Sequence, residues 1–306
     1  MAQKILILGA TGKVGEAITR MFLSETDDTR LILCTSNIKK ISPELRCEAV
    51  EINYLDPKNI ETVLKKYSPS CIVNAAAMTR VDACEDEKSL AMKLNCDLPK
   101  ILAKYAKKKK IHLIHFSTDY IFNGEKGLYS EEDTPDPVSY YGRSKLAGEN
   151  AIISELNENN YTIFRTNVVY GYSTYGKNDF INWIIDNLEN EEEMNVIDGQ
   201  WSNPTFSSDL AWASLKAFEE KRFGIYNIAG SDYLSRYDIA MKICDILKYD
   251  KDLIKKIKPG ELIQKAKRPE KGGLLTLKAE SVFGMGMSGL SAGILQMKFQ
   301  SDEVEI

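Results

Sequence analysis

The chain is expected to be an α/β protein built on a doubly wound parallel sheet. Three observations lead there. A strand-length apolar run, Lys4 to Leu8, enters a glycine-rich turn and then an amphipathic stretch. Strand-like and helix-like segments alternate through the first half. A further apolar run ends in hydroxyls at Ser117-Thr118, upstream of Ser139-Tyr140-Tyr141-Gly142-Arg143-Ser144-Lys145.

The elements follow in order. Lys4 to Leu8 reads as a central strand, since parallel strands are buried on both faces. Gly9-Ala10-Thr11-Gly12-Lys13-Val14-Gly15 turns the chain into a helix over Glu16 to Leu23. Such glycines let backbone approach a pyrophosphate, and the helix N-terminus supplies N–H donors. Arg30 to Thr35 and Glu48 to Asn53 are strand-like, and Pro57 to Tyr67 reads as a helix. Cys71 to Ala76 is a strand ending in small residues. Glu87 to Lys110 reads as a long helix or helix pair, with Pro99 a boundary. The strand ending at Thr118, a helix around Tyr141 and a strand over Tyr161 to Tyr170 complete the alternation.

Beyond Gly171 the rhythm loosens. Asn178 to Leu188 looks helical, Met194 to Ile197 strand-like, and Ser207 to Glu219 helical with Ser207 or Ser208 as its cap. Gly224 to Gly230 is a strand between glycines, and Ser235 to Leu247 a helix. The expected division is a dinucleotide-binding part, about 1–170 plus about 203–230, and a discontinuous substrate lobe, about 171–202 and 231–300. Gly284-Met285-Gly286-Met287-Ser288-Gly289 fits a second G-x-G-x-x-G, but no strand precedes it and too little chain follows it. It reads as a turn.

Composition bounds the function. The 306 residues are 43% hydrophobic and 27% charged, ordinary for a globular protein of one large domain and a smaller lobe. A net charge of −4 gives no footprint for nucleic acid. No apolar run reaches about 18 residues and no signal-peptide pattern opens the chain, so no membrane partner is expected and the cytoplasm is the expected location. The six cysteines form no C-x-x-C and read as reduced thiols. His112 and His115 are three apart on a strand, hence on opposite faces, so no metal site is expected from them. Lys107 to Lys110 and Glu191 to Glu193 read as solvated surface.

The chemistry centres on Tyr141 and Lys145, which share a helix face at i and i+4. An ammonium beside a phenol lowers a pKa otherwise about 10, making Tyr141 a proton donor and acceptor. Thr118, at a strand's carboxyl end, would point into the crevice where α/β ligands bind. Its hydroxyl can orient a carbonyl that Tyr141 protonates.

These residues resemble the extended short-chain dehydrogenase/reductases, and within them the dTDP-4-dehydrorhamnose reductases, nearly end to end. The resemblance rests on the glycine turn, Asn74 to Asp82 with Glu85, Asn95, Ser117 to Gly124, Tyr129 with Glu131 and Asp133, Tyr141 to Lys145, Asp198-Gly199-Gln200-Trp201 with Pro204-Thr205, Asp209-Leu210-Ala211, and Arg268-Pro269. It implies reduction of the 4-keto group of a nucleotide-linked deoxysugar by NADPH or NADH. Tyr141 would protonate the oxygen, Lys145 hold the nicotinamide ribose and Thr118 orient the carbonyl. The implied cofactor wall is Gly9, Thr11, Gly12, Lys13, Val14, Gly15, Ala75, Ala76, Ala77 and Asn95, with Asn53 and Tyr54 near the adenine. The implied substrate contacts are Thr79, Val81, Tyr120, Phe122, Asn167, Trp201 and Arg268, the last through a guanidinium fork on a nucleoside diphosphate.

The second strand ends in Cys34 to Lys39 without the acidic residue that usually binds a ribose 2′-OH. Ser36 and Lys39 suit a 2′-phosphate instead, which tilts the choice between NADP and NAD towards NADP. Two other readings stay open: a sugar-nucleotide epimerase or dehydratase of the same fold, and a non-catalytic regulatory subunit like the methionine adenosyltransferase β subunit. A homodimer is the assembly to test.

Overall fold

The structure, a computed structural model, describes residues 3–45, 47–156, 160–175 and 179–304. The chain begins with β1 (Gln3–Leu8), α1 (Lys13–Glu25), β2 (Thr29–Thr35) and β3 (Glu48–Glu51). Next come α2 (Pro57–Tyr67), β4 (Cys71–Asn74), α3 (Val81–Asp86), α4 (Lys88–Met92) and α5 (Leu98–Lys109). β5 (His112–Thr118), α6 (Tyr140–Leu156) and β6 (Tyr161–Thr166) follow. Seven strands form one sheet in the order β3-β2-β1-β4-β5-β6 and then β10 (Gly224–Asn227), every pairing parallel. The order reverses between β1 and β4, so the crevice of a doubly wound sheet opens above their carboxyl ends.

Apolar side chains leave both sheet faces, as a parallel sheet requires. On one face Ile5, Ile7 and Leu33 pack with Ile18 and Phe22 of α1. On the other, Leu6, Leu8 and Ile32 pack with Ile60 and Leu64 of α2, Leu102 of α5 and Ile152 of α6. Local signals set the helix ends. Asp56 accepts from the Lys58 N–H before Pro57 and opens α2, and Ser68, at φ +46°, closes it. The long helix or helix pair expected over Glu87 to Lys110 is two helices joined by a π turn, Lys93–Asp97, and Pro99 occupies the first turn of α5.

The remaining elements are β7 (Val169–Tyr170), α7 (Phe180–Glu189), β8 (Met194–Ile197), β9 (Thr205–Phe206), α8 (Ser207–Glu219), α9 (Arg236–Leu247), β11 (Ile254–Ile257), α10 (Leu277–Phe283) and α11 (Leu290–Val304). β7 pairs with β9 and β8 with β11. Their core joins Tyr170, Ile181, Ile184, Phe206, Ile239, Ile243 and Ile294. One expectation changes here. Ser207 and Ser208 do not cap α8. Phe206 holds that place without a side-chain bond, because β9 stays extended up to the helix. α10 lies within 231–300 but buries Ala279 and Phe283 against the large sheet. Asn178 lies outside the described residues.

The Gly284–Gly289 string is the turn between α10 and α11, with Gly284 at φ +64° ending α10. All six cysteines are free thiols. His112 pairs with Thr162 at 2.8 Å and His115 with Asn74 at 3.1 Å, each ring on its own partner. No helix among the described residues is long and apolar enough to cross a membrane.

Candidate active site

The glycine turn is built for close approach. Gly9 lies at φ +74°, and a Cβ there would come within 2.7 Å of the Ala75 carbonyl carbon and the Ala76 nitrogen. A Cβ on Gly15 would drive into the Gly9 carbonyl oxygen. Gly12 is the N-cap of α1 and provides no side-chain cap, so the first N–H groups of α1 have no side-chain acceptor there. The Thr11 and Thr35 hydroxyls pair at 3.1 Å and tie the turn to β2. This cradle fits a dinucleotide pyrophosphate, because its backbone is bare and its helix end is positive.

Above it lies a cavity of about 500 Å³. Gly12, Lys13, Val14, Ala75, Ala76 and Ala77 form one wall, and Thr118, Tyr141 and Lys145 another. Strand β5 delivers Thr118 at its last position, and α6 delivers Tyr141 and Lys145 one turn apart. The head of α6 is held by Glu85, whose carboxylate accepts from the Tyr140 N–H at 2.7 Å. Lys145 donates to the Phe116 carbonyl at 2.6 Å, which fixes its ammonium beside β5.

The electrostatics differ in part from the expectation. Burial pushes the Tyr141 phenol above its ordinary range, and the Thr118 hydroxyl only partly offsets this. Tyr141 is therefore kept protonated, the form a proton donor needs. Lys145 bears the opposite shift. Burial brings its ammonium down to about 8, with Glu149 opposing the fall.

Thr79, Val81, Tyr120 and Asn167 also line the cavity. Tyr120 meets the Tyr141 ring edge-on at 5.7 Å. Asn167 donates to Asp119 at 3.1 Å, which orders the strand end beside Thr118. Lys13 lines the cavity, and its ammonium is engaged by Asp179 at 3.0 Å and the Gly171 carbonyl at 2.7 Å. Ser36 and Lys39 are exposed just past β2.

Six expected contacts are placed elsewhere. Phe122 is fully buried and stacks on Tyr129 at 4.3 Å, so it is a core residue. Trp201, 36% exposed, packs on Tyr233 outside the cavity. Asn95 is buried and grips Met78 through both its amide atoms while donating to Ser144 at 2.9 Å. It fastens the chain beyond β4 to α6 and does not line this cavity. Asn53 and Tyr54 are structural as well. The Asn53 side chain accepts from the Leu55 N–H, and the Tyr54 hydroxyl accepts from Gly9. Arg268 gives both terminal nitrogens to Asp82, at 3.0 and 2.7 Å, so its fork is closed by a carboxylate.

Sequence reading missed Arg236, Phe180 and Asp179. All three line the cavity from α7 and α9 or their edges. An arginine and a phenylalanine inside helical patterns give no local signal, because only tertiary packing turns them inward.

Comparison with known proteins gives the family. The chain is 29% identical to dTDP-4-dehydrorhamnose reductase of Aggregatibacter actinomycetemcomitans, over 92% of this chain and 94% of that one. It is 27% identical to methionine adenosyltransferase 2 subunit beta of Bos taurus, over 93% and 83%. A crystal structure of a dTDP-4-dehydrorhamnose reductase from Clostridium acetobutylicum superposes with a TM-score of 0.83 at 27% identity, covering 99% of this chain and all of that one. The model of the RmlD substrate binding domain matches residues 3–298, and the chain therefore belongs to that family, with the extended short-chain dehydrogenase/reductase fold.

Proposed function

We propose that the protein reduces the 4-keto group of a nucleotide-linked deoxysugar with NADPH or NADH, the leading case being dTDP-4-dehydrorhamnose to dTDP-L-rhamnose. The observation that supports it is the meeting of Thr118, Tyr141 and Lys145 in the cavity that the glycine cradle opens into. A nicotinamide dinucleotide, when bound, supplies the hydride. The chain's own residues do the rest. Thr118 donates a hydrogen bond that orients the carbonyl oxygen, and Tyr141 gives that oxygen its proton. Lys145, charged at neutral pH, holds the nicotinamide ribose and stabilises the phenolate left behind. In this reading the dinucleotide lies over 1–170 with about 203–230, and the lobe of about 171–202 and 231–300, less α10, closes on the sugar.

The test is consumption of NADPH and NADH against a panel of nucleotide 4-ketosugars. Turnover with dTDP-4-dehydrorhamnose, lost in Tyr141→Phe, is the expected result. No turnover with any member overturns the reading. It would favour a regulatory subunit, the alternative that the methionine adenosyltransferase relative supports.

A further inference from the structure

A second cavity, about 330 Å³, adjoins the first. Phe180 and Arg236 line both, so they stand at the boundary between the two. Arg236 opens α9, where Ser235 and Asp238 make a reciprocal capping box that fixes its backbone. Its guanidinium lies over the Phe180 ring at 4.3 Å. Its Nη1 is buried without a hydrogen-bond partner, and among the described residues it is the one guanidinium nitrogen in that condition. Buried polar groups are almost always paired, so this free donor, on a side chain that lines both cavities, calls for a partner. Burial works against its charge, Tyr120 and Asp119 support it, and nearby Arg268 opposes it.

The second cavity has a different chemistry. Trp183, 42% exposed, stacks with Phe180 at 6.0 Å and offers a flat face. Asn195, Gln200 and Gln264 supply amides, with Gln200 donating to Gln264 at 2.6 Å. Amides carry donors and acceptors side by side, as a nucleobase edge does. Arg268 also lines this cavity, but Asp82 occupies its fork.

We propose that Arg236, not Arg268, recognises the diphosphate of a nucleoside-diphosphate sugar, with the nucleoside in the second cavity and the sugar at Thr118 and Tyr141. The proposal rests on the sugar-nucleotide reading above and deepens it. A ligand with a reacting hexose in the first cavity and a base in the second must carry its anionic centre across the boundary that Arg236 lines. Nη1 of Arg236 is the unpartnered donor there.

The experiment is calorimetric binding of dTDP, UDP and GDP to the NADPH-loaded protein, as wild type, Arg236→Ala, Arg236→Lys and Arg268→Ala. Wild type should bind at least one. Arg236→Ala should weaken that diphosphate by about 10- to 100-fold, the range for a charge-assisted contact, with NADPH affinity unchanged. Arg236→Lys should fall between, keeping the charge without the fork, and it serves if the alanine variant fails to fold. Arg268→Ala should lose less than Arg236→Ala. Wild type binding none of the three overturns the proposal, as does an unchanged affinity in both Arg236 variants or a larger loss in Arg268→Ala. Diphosphate binding that depends on Arg236, without turnover of any ketosugar, would retain the proposal and sink the reductase reading.

Discussion

The hydroxyl of Tyr54 stands between two backbone groups, accepting from the Gly9 N–H at 2.8 Å and donating to the Cys34 carbonyl at 2.7 Å. One phenol thus joins the chain after β3 to the glycine turn and to the end of β2. Burial keeps it protonated, so it can donate at any ordinary pH. The turn is shaped from behind by a residue that never meets the cavity.

Replacing Tyr54 with Phe keeps the ring and removes both bonds. Gly9 retains a 3.1 Å bond to Cys34, but the Cys34 carbonyl loses its shortest partner. A net loss of about 1–3 kcal/mol is expected for two such bonds, together with weaker dinucleotide binding. Denaturant unfolding and an NADPH titration measure the two effects. Unchanged values in both would show that the bridge is incidental.

Tyr141→Phe removes the transferable proton and leaves the packing intact. Loss of a general acid should lower kcat by about 10²–10⁴-fold, with NADPH affinity nearly unchanged. Steady-state kinetics on whichever ketosugar turns over decide this, and undiminished kcat would end the assignment.

Lys145 makes a pH prediction whose sign follows from its folded pKa of about 8. Its unfolded value is about 10.4. Between the two, the unfolded chain binds the extra proton, so this group makes stability rise with pH across that window. Its full burden is present below about 8 and is gone above about 10.4. Lys145→Met removes the titration. The stability advantage of the Met variant over wild type should therefore shrink as pH rises from 8 towards 10, in paired unfolding curves. A constant difference would mean that the ammonium is better solvated than its burial indicates.

Lys39→Ala bears on cofactor choice. Ser36 and Lys39 are exposed just past β2; if they meet a 2′-phosphate, a charge-assisted contact contributes about 1.5–3 kcal/mol. NADPH should weaken by that amount and NADH hardly at all. Equal effects on both cofactors would leave Lys39 a surface residue.

Much of the site was legible in the residues. The strand, glycine turn and helix over Lys4 to Leu23, the Thr118 strand end, and the Tyr141 and Lys145 spacing are local signals, each set by period, backbone freedom or helix geometry. The π turn at Lys93–Asp97 was not legible, because its cause is tertiary. There Asn95 turns inward to bond Met78 and Ser144. The direction of the Tyr141 shift was missed for a similar reason: spacing indicates the neighbouring lysine but not the depth of burial.

The sequence by itself determined the parallel sheet, the glycine turn and the three groups that meet in the cavity, since all of these arise from short-range pattern. Only the tertiary structure decided which charges remain available. Asp82 and Arg268 are far apart in the chain yet close on each other at 2.7 Å, while Arg236 is left with a buried nitrogen unpaired. A charged side chain's role depends on what folding places against it, and that partner is a long-range contact which no local string encodes.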